Sequence, residues 1–205
     1  PLWMGAVAGI IAIGLGKAIF GGLGCNIFNP ALVGRAFVQA AFPTAITTWH
    51  APFMTGRFSH FIPASLTPPF ATPPDAPLWA GALPVDVVSG ATPLALHKFE
   101  HIGTGLPDLL LGSTSGSLGE TSAILILVCG AYLVARRLLN WRIPVAVLAS
   151  AFVVSGAFFL ADGQRYPDPW FMLGSGGLML GALFMATDPV GAPVTPYGAW
   201  LYGAL

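Results

Sequence analysis

The chain has 205 residues, of which 55% are apolar and only 8% charged, with mean hydropathy +0.77 and a formal net charge of zero. Soluble domains carry about 25% charge, so this composition excludes an ordinary cytosolic globule and a disordered chain. A balanced charge provides no basic field for a phosphate backbone, which excludes a nucleic-acid binder. What fits is an integral membrane protein, whose 26 Gly, 14 Phe and six Trp suit closely packed membrane helices.

In chain order, residues 2–20 are apolar apart from Lys17, which is long enough to cross a hydrocarbon core of about 30 Å. Lys17, near the end of that run, is expected to snorkel toward the interface. The run breaks at Gly21-Gly22-Leu23-Gly24-Cys25-Asn26. Asn29-Pro30 then predicts a new half-helix to about Thr44, because Asn suits a cap and Pro the first helical turn. Polar breaks at membrane depth survive only where protein or a cavity surrounds them, which marks 21–35 as a segment of interest.

Residues 47–86 form a Pro-rich extramembrane loop holding eight of the 19 prolines, with His50 and His60 read as solvated loop residues. Leu106 to Leu111 is apolar but too short to span, so it is expected to be re-entrant or interfacial. Two spans follow at 121–139 and 143–161, joined by Asn140-Trp141-Arg142 directly after Arg136-Arg137. Three basic residues in one turn place it in the cytoplasm, and the orientation of the rest follows. Residues 92–120 and the Asp162 to Asp168 loop then lie on the outer face. From Trp170 the chain re-enters through a Gly-rich run that stops at Thr187-Asp188-Pro189.

Two segments look alike. Gly22-Leu23-Gly24 leads to Phe28-Asn29-Pro30-Ala31, and Gly177-Leu178 with Gly181 leads to Thr187-Asp188-Pro189-Val190. Corresponding Gly- and Pro-broken segments in two halves are the mark of inverted-repeat folds with a site at the repeat interface. Cys25 and Cys129 have no ligand-spaced partners and are read as small buried helix residues, the other reading being a thiolate shared with a partner's metal centre. Both ends of the chain fall inside apolar runs, which predicts the middle of a longer membrane protein. The domain reading is one transmembrane domain over 1–205, with the loop at 47–86 and a distinct site loop at 86–97.

That site loop is Asp86-Val87-Val88-Ser89-Gly90-Ala91-Thr92-Pro93. Thr92 is suited to cap a helix with Pro93 in its first turn, and such an N-terminus favours an anion. Gly90 and Ala91 keep bulk away from the Thr92 hydroxyl. The residues alone allow either an anion site or a plain capped junction. The stretch resembles the D-x-x-S/T-G-A-T signature at which a flavin transferase joins FMN to Thr through a phosphoester. That signature belongs to the D subunit of the Rnf ferredoxin:NAD oxidoreductase complex and to the homologous B subunit of the Na⁺-translocating NADH:quinone reductase. Four further stretches are similar to the same family: Gly22 to Arg35, Gly119-Glu120-Thr121-Ser122, Asn140-Trp141-Arg142-Ile143-Pro144 and Phe184-Met185-Ala186-Thr187-Asp188-Pro189-Val190. The wording at Thr47-Thr48-Trp49 and at Asn140 to Pro144 favours Rnf.

The resemblance implies an all-α polytopic fold similar to urea and ammonium transporters, truncated here at both ends. It implies FMN held covalently on Thr92 as a one-electron relay, with Asp86, Ser89, Gly90 and Ala91 around it and Asn29 and Arg35 as further cofactor-binding residues, and it leaves room for a second, non-covalent flavin or riboflavin. It also implies a bacterial inner membrane location with the flavin loop on the periplasmic face. The partners are then the other subunits of the complex, including an FMN-carrying subunit and Fe–S membrane subunits, with a flavin transferase during maturation. The alternatives are the quinone-reductase subunit and a urea/ammonium-type transporter without flavin.

Intramembrane charges are functional candidates by default. Arg35, one turn after Asn29-Pro30, is read as a partner of flavin phosphate or ring oxygen, or of Asp188 in a salt bridge. Asp188 and Glu120 are the acids suited to bind Na⁺ or relay protons, Glu120 alternatively capping span 121–139. His97 and His101 stand at i, i+4, a metal-like spacing whose Glu100 does not match H-E-x-x-H; a solvated helical turn is the plainer reading. No dinucleotide fingerprint, Walker loop or nucleophile elbow occurs.

Overall fold

The computed structural model describes residues 2–47, 49, 69, 92–117, 119–163 and 165–205. Among these the chain is helical, with turns and no strand. It divides into two compact units, Pro1–Gly90 and Ala91–Leu205.

In the first unit, α1 (Leu2–Ile13) passes into a wider π-helical turn, π1 (Gly14–Ala18), and then into a turn that ends at Asn29. Gly21, Gly22 and Gly24 all have positive φ there, which only residues without Cβ adopt freely. Asn29 caps α2 (Pro30–Ala41): its Oδ1 accepts from the Ala31 N–H at 2.9 Å, and Pro30 occupies the first helical position. The expected half-helix thus starts at the predicted residue. It stops three residues early, at Ala41, because Pro43 restarts the chain as the short α3 (Pro43–Thr47). α2 packs closely on α1: a Cβ on Gly34 would collide with the Ala8 carbonyl oxygen, and Gly16 lies against Pro30. Trp3 meets Phe42 edge-on at 5.2 Å.

The second unit begins with α4 (Pro93–Glu100) and α5 (Leu106–Leu111), the latter coinciding with the short apolar piece singled out in the sequence. The next two are α6 (Ala123–Ala135) and α7 (Arg142–Ala161). α7 is the one helix among the described residues long and apolar enough to cross a membrane; Leu2–Ala18 and Ala123–Ala135 are apolar but shorter. The expected span 121–139 is therefore corrected to a 13-residue helix. Its end is set by a local motif. Arg137 takes a left-handed φ of 57°, its N–H bonds the Val134 carbonyl, and the Leu138 N–H bonds the Leu133 carbonyl. This pair of bonds closes a helix and releases Arg136 and Arg137 into the turn.

The chain then returns along α7. Pro169 and Trp170 at the start of α8 (Pro169–Gly174) lie against Gly156 and Phe152 respectively, so α8 runs antiparallel to α7. A break at Ser175-Gly176-Gly177 separates it from α9 (Leu178–Leu180), which continues as a second π-helical turn, π2 (Gly181–Met185). Leu183 of π2 packs against Gly130 of α6, with Ala123, Ile126 and Met179 completing the core. After a further turn, α10 (Pro196–Ala204) is capped by Thr195, whose Oγ1 accepts from Gly198 N–H at 3.1 Å. α10 runs alongside the first half of α7, with Trp200 edge-on to Trp141 and Gly203 against Ile143 and Ala146.

The two look-alike breaks share a local structure. Asn29 Oδ1 accepts from the N–H two residues on and its carbonyl from Val33 N–H; Asp188 Oδ1 accepts from Val190 N–H at 3.4 Å and its carbonyl from Ala192 N–H at 2.9 Å. Each therefore opens a helical turn behind an Asx-Pro pair, and each follows a π-helical turn. After Asn29 the helix continues; after Asp188 it stops within one turn, and the next helix waits for Thr195-Pro196.

Candidate functional site

Thr92 sits where its cap chemistry requires. It is half-buried with extended backbone (φ −70°, ψ 155°), and its Oγ1 accepts from the Ala95 N–H at 3.3 Å. Pro93 fills the first helical position and is buried. A hydroxyl at a helix N-terminus faces free N–H groups and the positive end of the dipole, which stabilise a phosphoryl group attached there. Asp86, Ser89, Gly90 and Ala91 lie outside the described residues, as do His50, His60 and nearly all of the 47–86 loop.

The N-terminus of α4 leans on the break between α8 and α9. Gly176 has φ +66°, and a Cβ there would come within 2.9 Å of Leu94 Cδ1, two residues after Thr92. The next residue, Gly177, borders Glu120, whose Oε2 lies 3.0 Å from where a Gly177 Cβ would stand. Glu120 does not cap α6. Ser122 does, accepting from Leu125 N–H at 3.4 Å, while Glu120 Oε1 turns back to accept from the Ser117 N–H at 3.1 Å. The structure thus brings Leu94, two residues after Thr92, and Glu120 to adjacent glycines of one three-residue break. Asp188 lies beyond π2, half-buried, beside Gly191. Asn29 and Arg35 belong to the other unit, Asn29 as the α2 cap and Arg35 as an exposed α2 residue.

The break also holds a residue that sequence reading passed over. Ser175 is 3% exposed, and its Oγ has no hydrogen-bond partner among the described residues. A buried hydroxyl left unbonded costs about 1–3 kcal/mol. It lines an open groove of about 460 Å³ with Leu94 from α4, Ala151, Val154 and Phe158 from α7, and Met172 from α8. That size falls within the range of about 300–1,000 Å³ typical of cofactor sites, and an apolar wall with few polar groups is their usual lining. In sequence Ser175 reads as one more small residue in a run of turn glycines; a hydroxyl inside an otherwise apolar break was the available signal.

A second pocket, of about 290 Å³, lies beside the other flank of α4, lined by His97, Thr104, Asp168, Trp170 and Phe171 among others. His97 is half-buried, its ring 5.4 Å from that of Phe171. His101 ends the helix in a left-handed conformation (φ 54°). The two rings nevertheless meet edge-on, their centroids 6.4 Å apart, and among the described residues no group of three His, Cys, Asp or Glu could hold a metal. Cys25 and Cys129 are both exposed, correcting the expectation of buried residues: Cys25 is in the turn before Asn29, and Cys129 is on α6, where it lines a pocket with Ile126, Leu180 and Phe184.

Comparison with known proteins decides the family. Residues 1–205 match the model of the NQR2, RnfD, RnfE family. The chain belongs to that family. It is 37% identical to the D subunit of the ion-translocating oxidoreductase complex of Halorhodospira halophila, covering 100% of this chain and 58% of the relative. It is 34% identical to the D subunit of the proton-translocating ferredoxin:NAD(+) oxidoreductase complex of Clostridium ljungdahlii, over 98% of this chain and 56% of that protein. It is also 37% identical to the B subunit of the Na(+)-translocating NADH-quinone reductase of Pseudomonas aeruginosa, over 100% of the chain and 46% of the relative. The chain thus spans about half the length of the family members it matches. These relatives are subunits of ion-translocating oxidoreductase complexes, and the helical, strand-free character of the described residues suits a membrane member of such a family.

Proposed function

We propose that the chain is the membrane core of the D subunit of an Rnf-type ferredoxin:NAD⁺ oxidoreductase, relaying electrons through FMN esterified to Thr92 and coupling this to Na⁺ or H⁺ transport. The observation that carries the reading is Thr92 itself. It ends a flavinylation-type sequence, caps α4, and has its hydroxyl at a helix N-terminus that favours a phosphoryl group. Bound there, FMN supplies one-electron redox chemistry. The chain's own part is to hold the phosphoryl at the α4 N-terminus.

In this reading the fold is a pair of inverted repeats in the urea/ammonium-transporter style, and the two Asx-Pro turns behind π1 and π2 are its corresponding breaks. Glu120 and Asp188 are the candidate cation ligands or proton carriers, because carboxylates beside unwound carbonyls suit a cation. The protein sits in the bacterial inner membrane with Thr92 on the outer face, among an FMN-carrying subunit, Fe–S membrane subunits and, during maturation, a flavin transferase. A second, non-covalent flavin is compatible with the same architecture.

The B subunit of the Na⁺-translocating quinone reductase is the second reading, favoured by an identity to that relative equal to the identity to the Halorhodospira protein. Quinone-dependent oxidation of NADH by the purified complex would select it over ferredoxin:NAD⁺ turnover. A flavin-free transporter rests on the repeat-like breaks alone. Flavin fluorescence of the denatured chain in a gel, with mass spectrometry of the peptide containing Thr92, tests both redox readings against it. Thr92→Ala should abolish the covalent flavin while the subunit still inserts, since loss of one cap costs about 1 kcal/mol. Flavin persisting on that variant's peptide overturns the assignment of Thr92.

A further inference from the structure

We infer that the pocket of about 290 Å³ beside His97 is the berth of the isoalloxazine ring tethered at Thr92, with His97, Thr104 and Asp168 bonding the polar edge of the ring. This rests on the reading of Thr92 as the attachment point and adds where the redox-active part of the group lies. Buried Leu109 and Phe171 give the pocket an apolar base, and exposed Trp170, edge-on to Phe152 at 5.0 Å, gives it an aromatic wall. Such surfaces suit the faces of a flat heteroaromatic ring. Three polar side chains share the lining, and none of them is committed to a hydrogen bond among the described residues. Asp168 holds the N-cap position of α8 without making the cap bond, so its carboxylate is available. His97 makes only ring contacts, with Phe171 at 5.4 Å and His101 at 6.4 Å. The pyrimidine edge of a flavin presents carbonyl, N–H and carbonyl in turn. His97 and Thr104 can each donate to a carbonyl, and a carboxylate can only accept, as the N–H requires. A quinone, with carbonyls alone, leaves Asp168 without a donor, and an acyl chain leaves all three groups unbonded. The groove beside Ser175 is almost wholly apolar and offers that edge nothing. Reach also fits. His97 stands five residues along α4 from Thr92, about 7.5 Å of helix, a span that the ribityl chain between phosphate and ring can cover. A carboxylate beside the ring disfavours the negative charge that reduction adds, so neutralising Asp168 should raise the midpoint potential.

The test uses the full-length protein in its assembled complex. Flavin on the Thr92 peptide is quantified first by mass spectrometry. Trp170→Phe keeps an aromatic wall but removes the indole, which quenches an excited flavin in contact with it; flavin fluorescence should rise at least two-fold at unchanged content. Leu106→Trp, at an exposed lining position, fills the pocket and should expel the ring, increasing iodide quenching at least two-fold. Asp168→Asn keeps an acceptor without the charge and should shift one flavin midpoint potential upward. Repeated in a Thr92→Ala background, no flavin of the complex should show that shift. Its persistence would place another subunit's flavin in the pocket and overturn the assignment to the Thr92 ring. Normal flavin content with wild-type fluorescence, quenching and potential in the three variants would overturn the berth alone. A wild-type Thr92 peptide without flavin would overturn the attachment and the berth together.

Discussion

Close approach at single glycines sets how tightly the helices pack, and the obstacle differs from site to site. At Gly203 an added Cβ would lie 2.8 Å from the Ile143 carbonyl and 2.6 Å from Ala146 Cβ, and at Gly34 it would strike the Ala8 carbonyl. At Gly130 the neighbour is the far end of Leu183, 2.7 Å away. Backbone cannot yield as a leucine tip can. Gly34→Ala and Gly203→Ala should therefore each cost about 1–3 kcal/mol, and Gly130→Ala less. Thermal unfolding of the detergent-solubilised protein measures this; equal midpoints for the three variants would contradict the packing argument. The residue scale also shows why Thr92 and Asn29 were readable in advance. A cap bonds to N–H groups two or three residues away, so its signal lies within its own sequence neighbourhood. Ser175 had no such signal, because the groove it borders is walled by Leu94 of α4 and by residues of α7, at a distance in the chain.

The elements show a contrast between like starts and unlike outcomes. Asn29-Pro30 and Asp188-Pro189 make the same Asx turn, yet one launches a 12-residue helix and the other ends within a turn. The continuation depends on packing. α2 finds α1 along Gly34, whereas the helix after Asp188 begins only at Thr195, where α10 finds α7. Asn29→Ala removes the cap of a long helix and should lower stability by about 1 kcal/mol. Asp188→Asn keeps the Oδ1 acceptor of its turn and removes only the charge. It should therefore leave yield and covalent FMN unchanged while slowing ion-coupled ferredoxin:NAD⁺ turnover by the assembled complex. Unchanged turnover and ion dependence would remove Asp188 from the coupling pathway. A collapsed yield would point to a structural ion pair, since breaking such a pair leaves a charge stranded.

For the whole molecule, the turn between α6 and α7 carries the expectation of orientation. Arg136, Arg137 and Arg142 cluster there, Arg142 is 5.4 Å from the centroid of the Trp141 ring, and Trp141 meets Trp200. Basic residues with flanking Trp belong at a cytoplasmic interface. A cysteine introduced at Asn140 should then be labelled by an impermeant thiol reagent only from the cytoplasmic side. One at Ser65, outside the described residues, should be labelled from outside. Background from the native Cys25 and Cys129 is removed first by Cys→Ala at both. The reverse pattern would put Thr92 on the wrong face for a flavin loaded outside the cytoplasm.

The membrane class, the caps at Asn29 and Thr92, the bounds of α5 and the family motifs were all legible before any coordinates. Each depends on composition or on contacts between near neighbours in the chain. The end of α6 was misplaced, because Arg137 adopts a left-handed closure that is favoured for Gly and gives an Arg no sequence mark. Of the two readings of Glu120 the cap falls to Ser122, and both cysteines are exposed where their apolar neighbours suggested burial. Tertiary structure alone decided that Leu94, Glu120 and Ser175 meet at one break. Those residues lie in three separate stretches of sequence, and only the antiparallel return of α8 along α7 carries the break to the foot of α4.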